Sequence, residues 1–92
     1  MNKIVEKENL SERVVRFEVE APLIARSRRA GHFVMIRVGK KGERVPYTIA
    51  SADTTRGTIT MVVQRVGKSS EKLCRLEAGD YITDMVGPLG KA

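Results

Sequence analysis

Short runs of alternating apolar and polar residues, separated by turn residues, recur along most of this 92-residue chain. The clearest lies at residues 14–20, where Val15, Phe17 and Val19 alternate with charged residues, which predicts a strand with one apolar and one solvated face. Other segments of strand length occur at residues 3–9, 33–38, 44–51, 58–65 and 81–86. Short strands at regular spacing are typical of an antiparallel barrel or sandwich and argue against alternating strand–helix units.

Turn residues predict which strands are neighbours. Residues 9–12 suit a tight turn after the first strand, and the turn at residues 39–42, with a glycine at each end, follows the third, so each predicts a hairpin. Pro22 ends the second strand, and residues 23–29 are predicted to form a loop with at most one helical turn. Residues 87–92 hold two glycines and a proline within four residues, which predicts an exit loop.

One segment, residues 66–76, is predicted to be a helix, because N-cap candidates precede leucines at helical spacing and Gly79 follows. Its start is Gly67-Lys68-Ser69-Ser70. This start favours phosphate binding. The glycine allows close backbone approach, the lysine adds a positive charge, and the serine hydroxyls lie beside the free amides of the first turn. There is no Walker or GxGxxG motif, so a serine-capped helix that binds nothing explains the same residues.

The segment at residues 44–51 is a second candidate site. Pro46 restrains itself and Val45 to extended conformations. Tyr47 offers a ring face, and Thr48 a hydroxyl, to a flat aromatic ligand. Neighbouring side chains on a strand point to opposite faces, so both reach one ligand only if the strand bends or the ligand lies along it. The alternative is that Tyr47, Thr48 and Ile49 simply fill a half-buried strand.

Cysteine and histidine content limits the possible chemistry. The single cysteine, Cys74, and the single histidine, His32, exclude an internal disulfide, a closed zinc site and a four-thiolate iron–sulfur cluster. Redox chemistry would therefore need an organic cofactor. No apolar run is long enough to cross a bilayer, and the polar start is not a signal peptide, so we expect a cytoplasmic protein without a membrane partner.

The net charge of +6 raises a second functional hypothesis, a small basic β-barrel that binds nucleic acid. Such a module would use the arginines at positions 26, 28 and 29, with Tyr47 or Phe33 as stacking platforms. The aromatic content of 4% and the lack of aromatics interleaved with basic residues argue against it.

The order of these motifs adds a family resemblance. The R-x-P-Y-T strand, the strand that ends in Gln64-Arg65, the V-G-K-S-S helix start and the V-G-P-L-G exit resemble the FAD-binding domain of the ferredoxin–NADP reductase superfamily. The similarity is greatest to the flavin subunits of NADH-dependent reduced ferredoxin:NADP oxidoreductase and sulfide dehydrogenase, which are related to the dihydroorotate dehydrogenase electron-transfer subunit. It covers the whole chain and implies an all-β, six-stranded antiparallel Greek-key barrel with one short helix.

The resemblance also implies roles for particular residues. Tyr47 would lie against the isoalloxazine ring of FAD, the Thr48 hydroxyl near flavin N5, and Arg44 at the pyrophosphate, although two residues rather than one separate Arg44 from Tyr47. No residue is implied to be catalytic or to bind a metal. The implied FAD-binding residues are Arg44, Pro46, Tyr47, Thr48, Ile49, Ala50, Gln64, Val66, Gly67, Lys68, Ser69 and Ser70.

Complete members of the superfamily continue beyond the barrel with a nicotinamide-nucleotide domain and a cysteine cluster that holds a [2Fe–2S] centre. We therefore expect residues 1–92 to be the N-terminal FAD-binding barrel of a longer electron-transferring oxidoreductase, inactive as an isolated fragment and binding neither NAD(P) nor [2Fe–2S] itself. The expected partners are the nucleotide-binding domain of the same protein and an iron–sulfur subunit or ferredoxin, with no nucleic acid.

Overall fold

The computed structural model describes residues 2–90, which form seven strands and two short helices. The strands are β1 (Asn2–Asn9), β2 (Val14–Glu20), β3 (Phe33–Arg37), β4 (Val45–Asp53), β5 (Thr58–Gln64), β6 (Tyr81–Ile82) and β7 (Asp84–Leu89). The helices are α1 (Pro22–Ser27), between β2 and β3, and α2 (Lys68–Cys74), between β5 and β6.

All seven strands belong to one antiparallel sheet with the order β6-β1-β2-β5-β4-β3-β7. The two edge strands, β6 and β7, follow each other in the chain with only Thr83 between them, so this segment nearly closes the sheet into a barrel. Strands β3, β4 and β5 are connected hairpins and β2 lies beside β5, which is a Greek key. The predicted antiparallel barrel and both predicted hairpins are confirmed.

The strand count and the end of the barrel differ from the prediction. The predicted sixth strand, residues 81–86, is divided at Thr83 because the chain changes partner there, from β1 to β3. The exit loop predicted from residue 87 onward is wrong over residues 87–89, which belong to β7. Pro88 lacks an N–H group, and an edge strand tolerates that loss. Residues 91 and 92 of the predicted loop lie outside the described residues.

The segment predicted as a loop with at most one helical turn is the helix α1 over residues 22–27. Pro22 occupies its first turn, where its missing N–H costs no hydrogen bond. Burial of Ile24 and Ala25 stabilises a helix that is too short to form in isolation. Helix α2 is shorter than its predicted range of 66–76, spanning only residues 68–74.

The barrel interior is filled by side chains from the apolar faces of the strands, with additions from both helices. Val15, Phe17 and Val19 of β2 are all buried, as the alternation predicted. Cys74 is also buried, and its thiol is free. Among residues 2–90, no helix has the length and apolar character needed to cross a bilayer.

Glu18 departs from the predicted alternation, because it is buried although its position in β2 places it among the polar residues. Its Oε2 accepts a hydrogen bond of 2.7 Å from Thr58 Oγ1 and lies 3.1 Å from Arg56 Nη1. The Thr58 hydrogen bond lowers the pKa of Glu18 and outweighs burial, which raises it, and Glu6 and Arg56 lower the pKa further. The carboxylate is therefore buried in its charged form.

This depressed pKa predicts loss of stability in acid. The contribution of Glu18 is fully present above the pKa of an unfolded glutamate, about 4.3, and is lost as the pH falls through the lower folded pKa. We expect Glu18→Gln to lower the free energy of unfolding at pH 7 by about 1–3 kcal/mol, and by progressively less below pH 4. Urea unfolding between pH 3 and pH 7 measures this difference.

The matched control is Glu20→Gln, an exposed glutamate on the same strand, which should leave both the stability and its pH dependence unchanged. If the free energies of unfolding of Glu18→Gln and the unsubstituted chain differed by the same amount at every pH from 3 to 7, the proposed burial of a charged carboxylate would be contradicted.

Gly87 sets the distance between β7 and β3. A Cβ at this position would lie 2.8 Å from Val34 Cγ1, which is a steric clash, and 3.2 Å from the Phe33 carbonyl oxygen, which is a tight contact. We expect Gly87→Ala to lower the free energy of unfolding by about 1–3 kcal/mol, because the clash is with the short side chain of Val34, which is fully buried in the core.

A double-mutant cycle checks this origin. In a Val34→Ala background the clashing Cγ1 is absent, so the additional cost of Gly87→Ala should become smaller. An equal cost in both backgrounds would rule out the Val34 contact as its cause.

Candidate functional site

A cavity of about 810 Å³ opens between β4, the end of β5 and the start of α2. This volume lies within the range of about 300–1,000 Å³ that small-molecule sites occupy. The two candidate stretches of the sequence therefore meet in one place. The predicted residues that line the cavity are Pro46, Tyr47, Thr48, Gln64, Val66, Gly67, Lys68, Ser69 and Ser70.

Tyr47 and Thr48 both line the cavity although they are neighbours on a strand. Residues 45–48 of β4 pair with β3, whereas the residues from Ile49 onward pair with β5. The β4–β5 register shifts between Ile49 and Ser51, which is a β-bulge, and a bulge bends its strand. The strand irregularity that would let both side chains reach one ligand therefore lies directly after them, at Ala50.

Tyr47 is half-buried and also packs against the core. Burial is the main cause that raises the pKa of its hydroxyl, with a smaller effect from Cys74. The hydroxyl is therefore protonated at neutral pH. Filling a half-buried strand and facing the cavity are compatible roles for this side chain.

The first three residues of α2 line the cavity, and their backbone amides have no intrahelical acceptor. The first intrahelical hydrogen bond is donated by Glu71 N–H to the Gly67 carbonyl at 2.9 Å, so the N–H groups of Lys68, Ser69 and Ser70 precede the helical ladder. A Cβ added to Gly67 would meet nothing within 4 Å, and the Gly67 backbone is extended. A ligand can therefore approach this backbone closely.

Ser70 has a structural role that its position in the sequence did not reveal. Its buried Oγ accepts hydrogen bonds from the N–H groups of Val66, at 2.9 Å, and Gly67, at 3.0 Å. The same hydroxyl donates to the Gly67 carbonyl at 3.1 Å. The hydroxyl thus fixes the turn that enters α2, because its hydrogen and both lone pairs are used within the protein.

Three predicted residues lie outside the cavity lining. Arg44 Nη2 lies 3.2 Å from Asp84 Oδ2, so its guanidinium is directed toward β7. Ile49 is buried in the core, and the exposed Ala50 follows it at the bulge. The carbonyls of Ile49 and Ala50 accept hydrogen bonds from Arg28.

The cavity also has lining residues that the motifs did not indicate. Strand periodicity could have identified Val62, which lies two residues before Gln64 and so shares its face. Helical periodicity could have identified Lys72, one turn after Lys68. Val45 belongs to the candidate segment 44–51 but was not named as a site residue, and no motif indicated Lys41, Gly42 or Glu43.

The charge balance of the lining favours an anionic ligand. Lys41, Lys68 and Lys72 contribute three cationic side chains against the single carboxylate of Glu43. Within residues 2–90, no group of three or more potential metal-ligating side chains comes together.

A model of the oxidoreductase FAD-binding domain family matches residues 2–92, nearly the entire chain. The chain belongs to this family. The resemblance expected from the motifs is confirmed, and this FAD-binding domain comes from an oxidoreductase family that acts in electron transfer.

Two relatives match the FAD-binding domain along almost its full length. An uncharacterized protein in the adh 3′ region of Clostridium beijerinckii is 44% identical over 90 residues, which cover 98% of this chain and 30% of that protein. A Thermotoga maritima homolog of the electron transfer subunit of dihydroorotate dehydrogenase B is 42% identical over 90 residues, with 98% and 32% coverage. The chain thus spans about a third of the length of these relatives.

Two solved structures also superpose on nearly the whole chain. A chain from the NADH-dependent reduced ferredoxin–NADP oxidoreductase superposes with a TM-score of 0.96 at 42% identity, covering 99% of this chain and 33% of the other. The cytochrome b5 reductase domain of Ulva prolifera nitrate reductase superposes with a TM-score of 0.71 at 24% identity, covering 97% of this chain and 39% of the other. The second similarity supports the fold alone.

The cavity of the FAD-binding domain fits the cofactor that the family name implies. FAD joins a flat ring system to a diphosphate, and the cavity has an aromatic ring and a hydroxyl on β4 with free amides and lysines at α2. The open space beside the Gly67 backbone leaves room for the diphosphate.

The hydrogen bonds of Ser70 predict that Ser70→Ala mainly affects stability. The substitution leaves the Val66 and Gly67 amides without their acceptor, so the free energy of unfolding should fall by about 1–2 kcal/mol in cofactor-free protein. Ser69→Ala, the adjacent change on the same turn, should cost less than about 0.5 kcal/mol. Urea unfolding compares the two, and equal losses would contradict the assigned role of Ser70.

Proposed function

We propose that this chain is the FAD-binding module of an oxidoreductase that passes electrons between a nicotinamide nucleotide and an iron–sulfur partner through flavin N5. The observation that carries the proposal is the single cavity lined both by Tyr47 and Thr48 and by the start of α2. The relatives support the finer assignment, because they include an electron transfer subunit homolog and an NADH-dependent ferredoxin–NADP oxidoreductase.

FAD, when bound, supplies hydride acceptance at N5 and the release of single electrons. The protein orients the cofactor and adjusts its surroundings. Tyr47 would limit the position of the ring system, and the Thr48 hydroxyl would offer it a hydrogen bond. Neither residue needs to act as an acid or a base, so the proposal assigns no catalytic residue.

The diphosphate is assigned to the start of α2. The amides of Lys68 and Ser69 have no intrahelical acceptor, so they would be available to hold the diphosphate, and the Lys68 ammonium would add a positive charge. Lys41 and Lys72 extend this positive charge along the cavity wall. Ser70 contributes indirectly, because its hydroxyl holds the turn that presents these amides.

The rest of the proposal concerns the longer protein. Val66 is 79% exposed and Val62 is 45% exposed beside the cavity, which suits residues that a cofactor or a further domain covers. We assign residues 1–92 to the N-terminal barrel of a cytoplasmic enzyme whose nucleotide-binding domain and iron–sulfur partner complete the electron path. By itself the barrel should bind FAD more weakly than the whole enzyme and lack its activity.

Titration of the purified chain with FAD tests the site. Gly67→Val places a side chain in the open space beside the diphosphate position, and an extended backbone accepts valine. Lys68→Glu reverses a charge in the cavity. Each should weaken binding by about tenfold or more, which corresponds to about 1.4 kcal/mol. Quenching of flavin fluorescence measures the dissociation constant, and circular dichroism verifies the fold of each variant.

The matched control for the charge reversal is Lys3→Glu, at an exposed residue of β1 outside the cavity lining. Unchanged FAD binding in both Gly67→Val and Lys68→Glu would refute the diphosphate assignment. A folded chain that does not bind FAD, but binds single-stranded DNA with a steep salt dependence, would instead favour the nucleic-acid hypothesis.

A further inference from the structure

Strand β4 contains one more residue than the segment of β5 that it pairs with. Ile49 is opposite Met61 and Ser51 is opposite Thr60, so Ala50 has no partner on β5. This bulge lies directly after Tyr47 and Thr48. A bulge interrupts the hydrogen-bond ladder and leaves backbone groups that need other partners.

The side chain of Arg28 supplies those partners. Its Nη2 donates to the Ile49 carbonyl at 3.1 Å and to the Ala50 carbonyl at 3.3 Å, so one nitrogen bridges two consecutive carbonyls of the bulge. These bonds are charge-assisted, which makes them stronger than bonds between neutral groups. The bridge therefore favours the bulge at this position over a regular ladder.

Arg28 is itself held at a fixed point of the fold. It is the C-cap of α1, and its N–H donates to the Ile24 carbonyl at 2.9 Å. Its Nε is buried and has no hydrogen-bond partner within residues 2–90, so this part of the guanidinium is shielded from solvent. Arg26, two residues earlier, is exposed.

The position of the bulge matters for the cavity because side chains alternate along a strand. A register shift of one residue exchanges the two faces of a strand. If the bulge moved toward Pro46, the side chains of Tyr47 and Thr48 would change direction relative to β5 and α2.

We propose that Arg28 is a positioning residue for the cofactor cavity, which fixes the bulge of β4 and thereby the directions of Tyr47 and Thr48. The inference rests on the proposed function, since it assigns those two residues to the flavin end of the site. Arg28 does not line the cavity, so it acts through β4 and not through contact with the cofactor.

The experiment compares Arg28→Met, which keeps the length of the side chain without a donor, with Arg28→Lys, whose single nitrogen can still bridge both carbonyls. Arg26→Met is the matched control on the same helix. The first readout needs no cofactor: ¹H–¹⁵N spectra of Arg28→Met should show their largest shift changes at residues 47–51. The second readout is the visible circular dichroism of bound FAD together with its dissociation constant.

We expect Arg28→Met to change the flavin dichroism and to weaken FAD binding about tenfold. Arg28→Lys should restore most of both properties, and Arg26→Met should resemble the unsubstituted chain. An unchanged dichroism and dissociation constant in folded Arg28→Met would overturn the inference while leaving the FAD site intact. Failure of the unsubstituted chain to bind FAD would overturn the proposed function, and the inference with it.

If Arg28→Met does not fold, Arg28→Gln, whose shorter and neutral side chain loses the charge-assisted bridge, takes its place. Shift changes centred on residues 47–51 would then support the inference, and shift changes spread evenly over the barrel, or none, would overturn it.

Discussion

The fold depends on one segment, residues 81–89, whose two strands form both edges of the same sheet. β6 pairs with β1, and after the single residue Thr83, β7 pairs with β3. An unpaired edge exposes a row of backbone donors and acceptors, and this double pairing supplies partners to the outer sides of both β1 and β3. The close approach at Gly87 shows how tightly β7 packs onto β3. Strands β4 and β5 are thereby held near the middle of a curved sheet.

The cavity follows from how β4 and α2 are held within this barrel. β4 pairs partly with β3 and partly with β5, so its neighbours change beside Tyr47 and Thr48. Helix α2 is held at its other end, where the Cys74 carbonyl accepts hydrogen bonds from Lys7 Nζ at 2.7 Å and Arg65 Nη2 at 3.3 Å. Two cations at the C-terminus of a helix also interact favourably with its dipole. The helix start is thereby fixed at the cavity.

Local patterns predicted the parts of the structure that depend on local chemistry, such as the alternation in β2 and the glycine–serine start of α2. They failed where contacts between residues far apart in the sequence determine the local structure. Helix α1 forms because the core buries Ile24, and the chain divides at Thr83 because two separate strands need partners. At the site, both candidate stretches were found, but the sequence did not show that the hydroxyl of Ser70 is already used by the backbone.

The family resemblance implied that Arg44 binds the pyrophosphate, but in this structure its guanidinium is paired with a carboxylate of β7. Asp84 Oδ2 lies 2.9 Å from Arg37 Nε and 3.2 Å from Arg44 Nη2, so one carboxylate of β7 balances two arginines. Asp84 is largely shielded from solvent, which strengthens this attraction compared with an exposed pair. Arg44 would have to leave that carboxylate to reach an anion in the cavity. The lysines at positions 41, 68 and 72 line the cavity without such an ion pair within residues 2–90, so the proposed function assigns the attraction for a diphosphate to them.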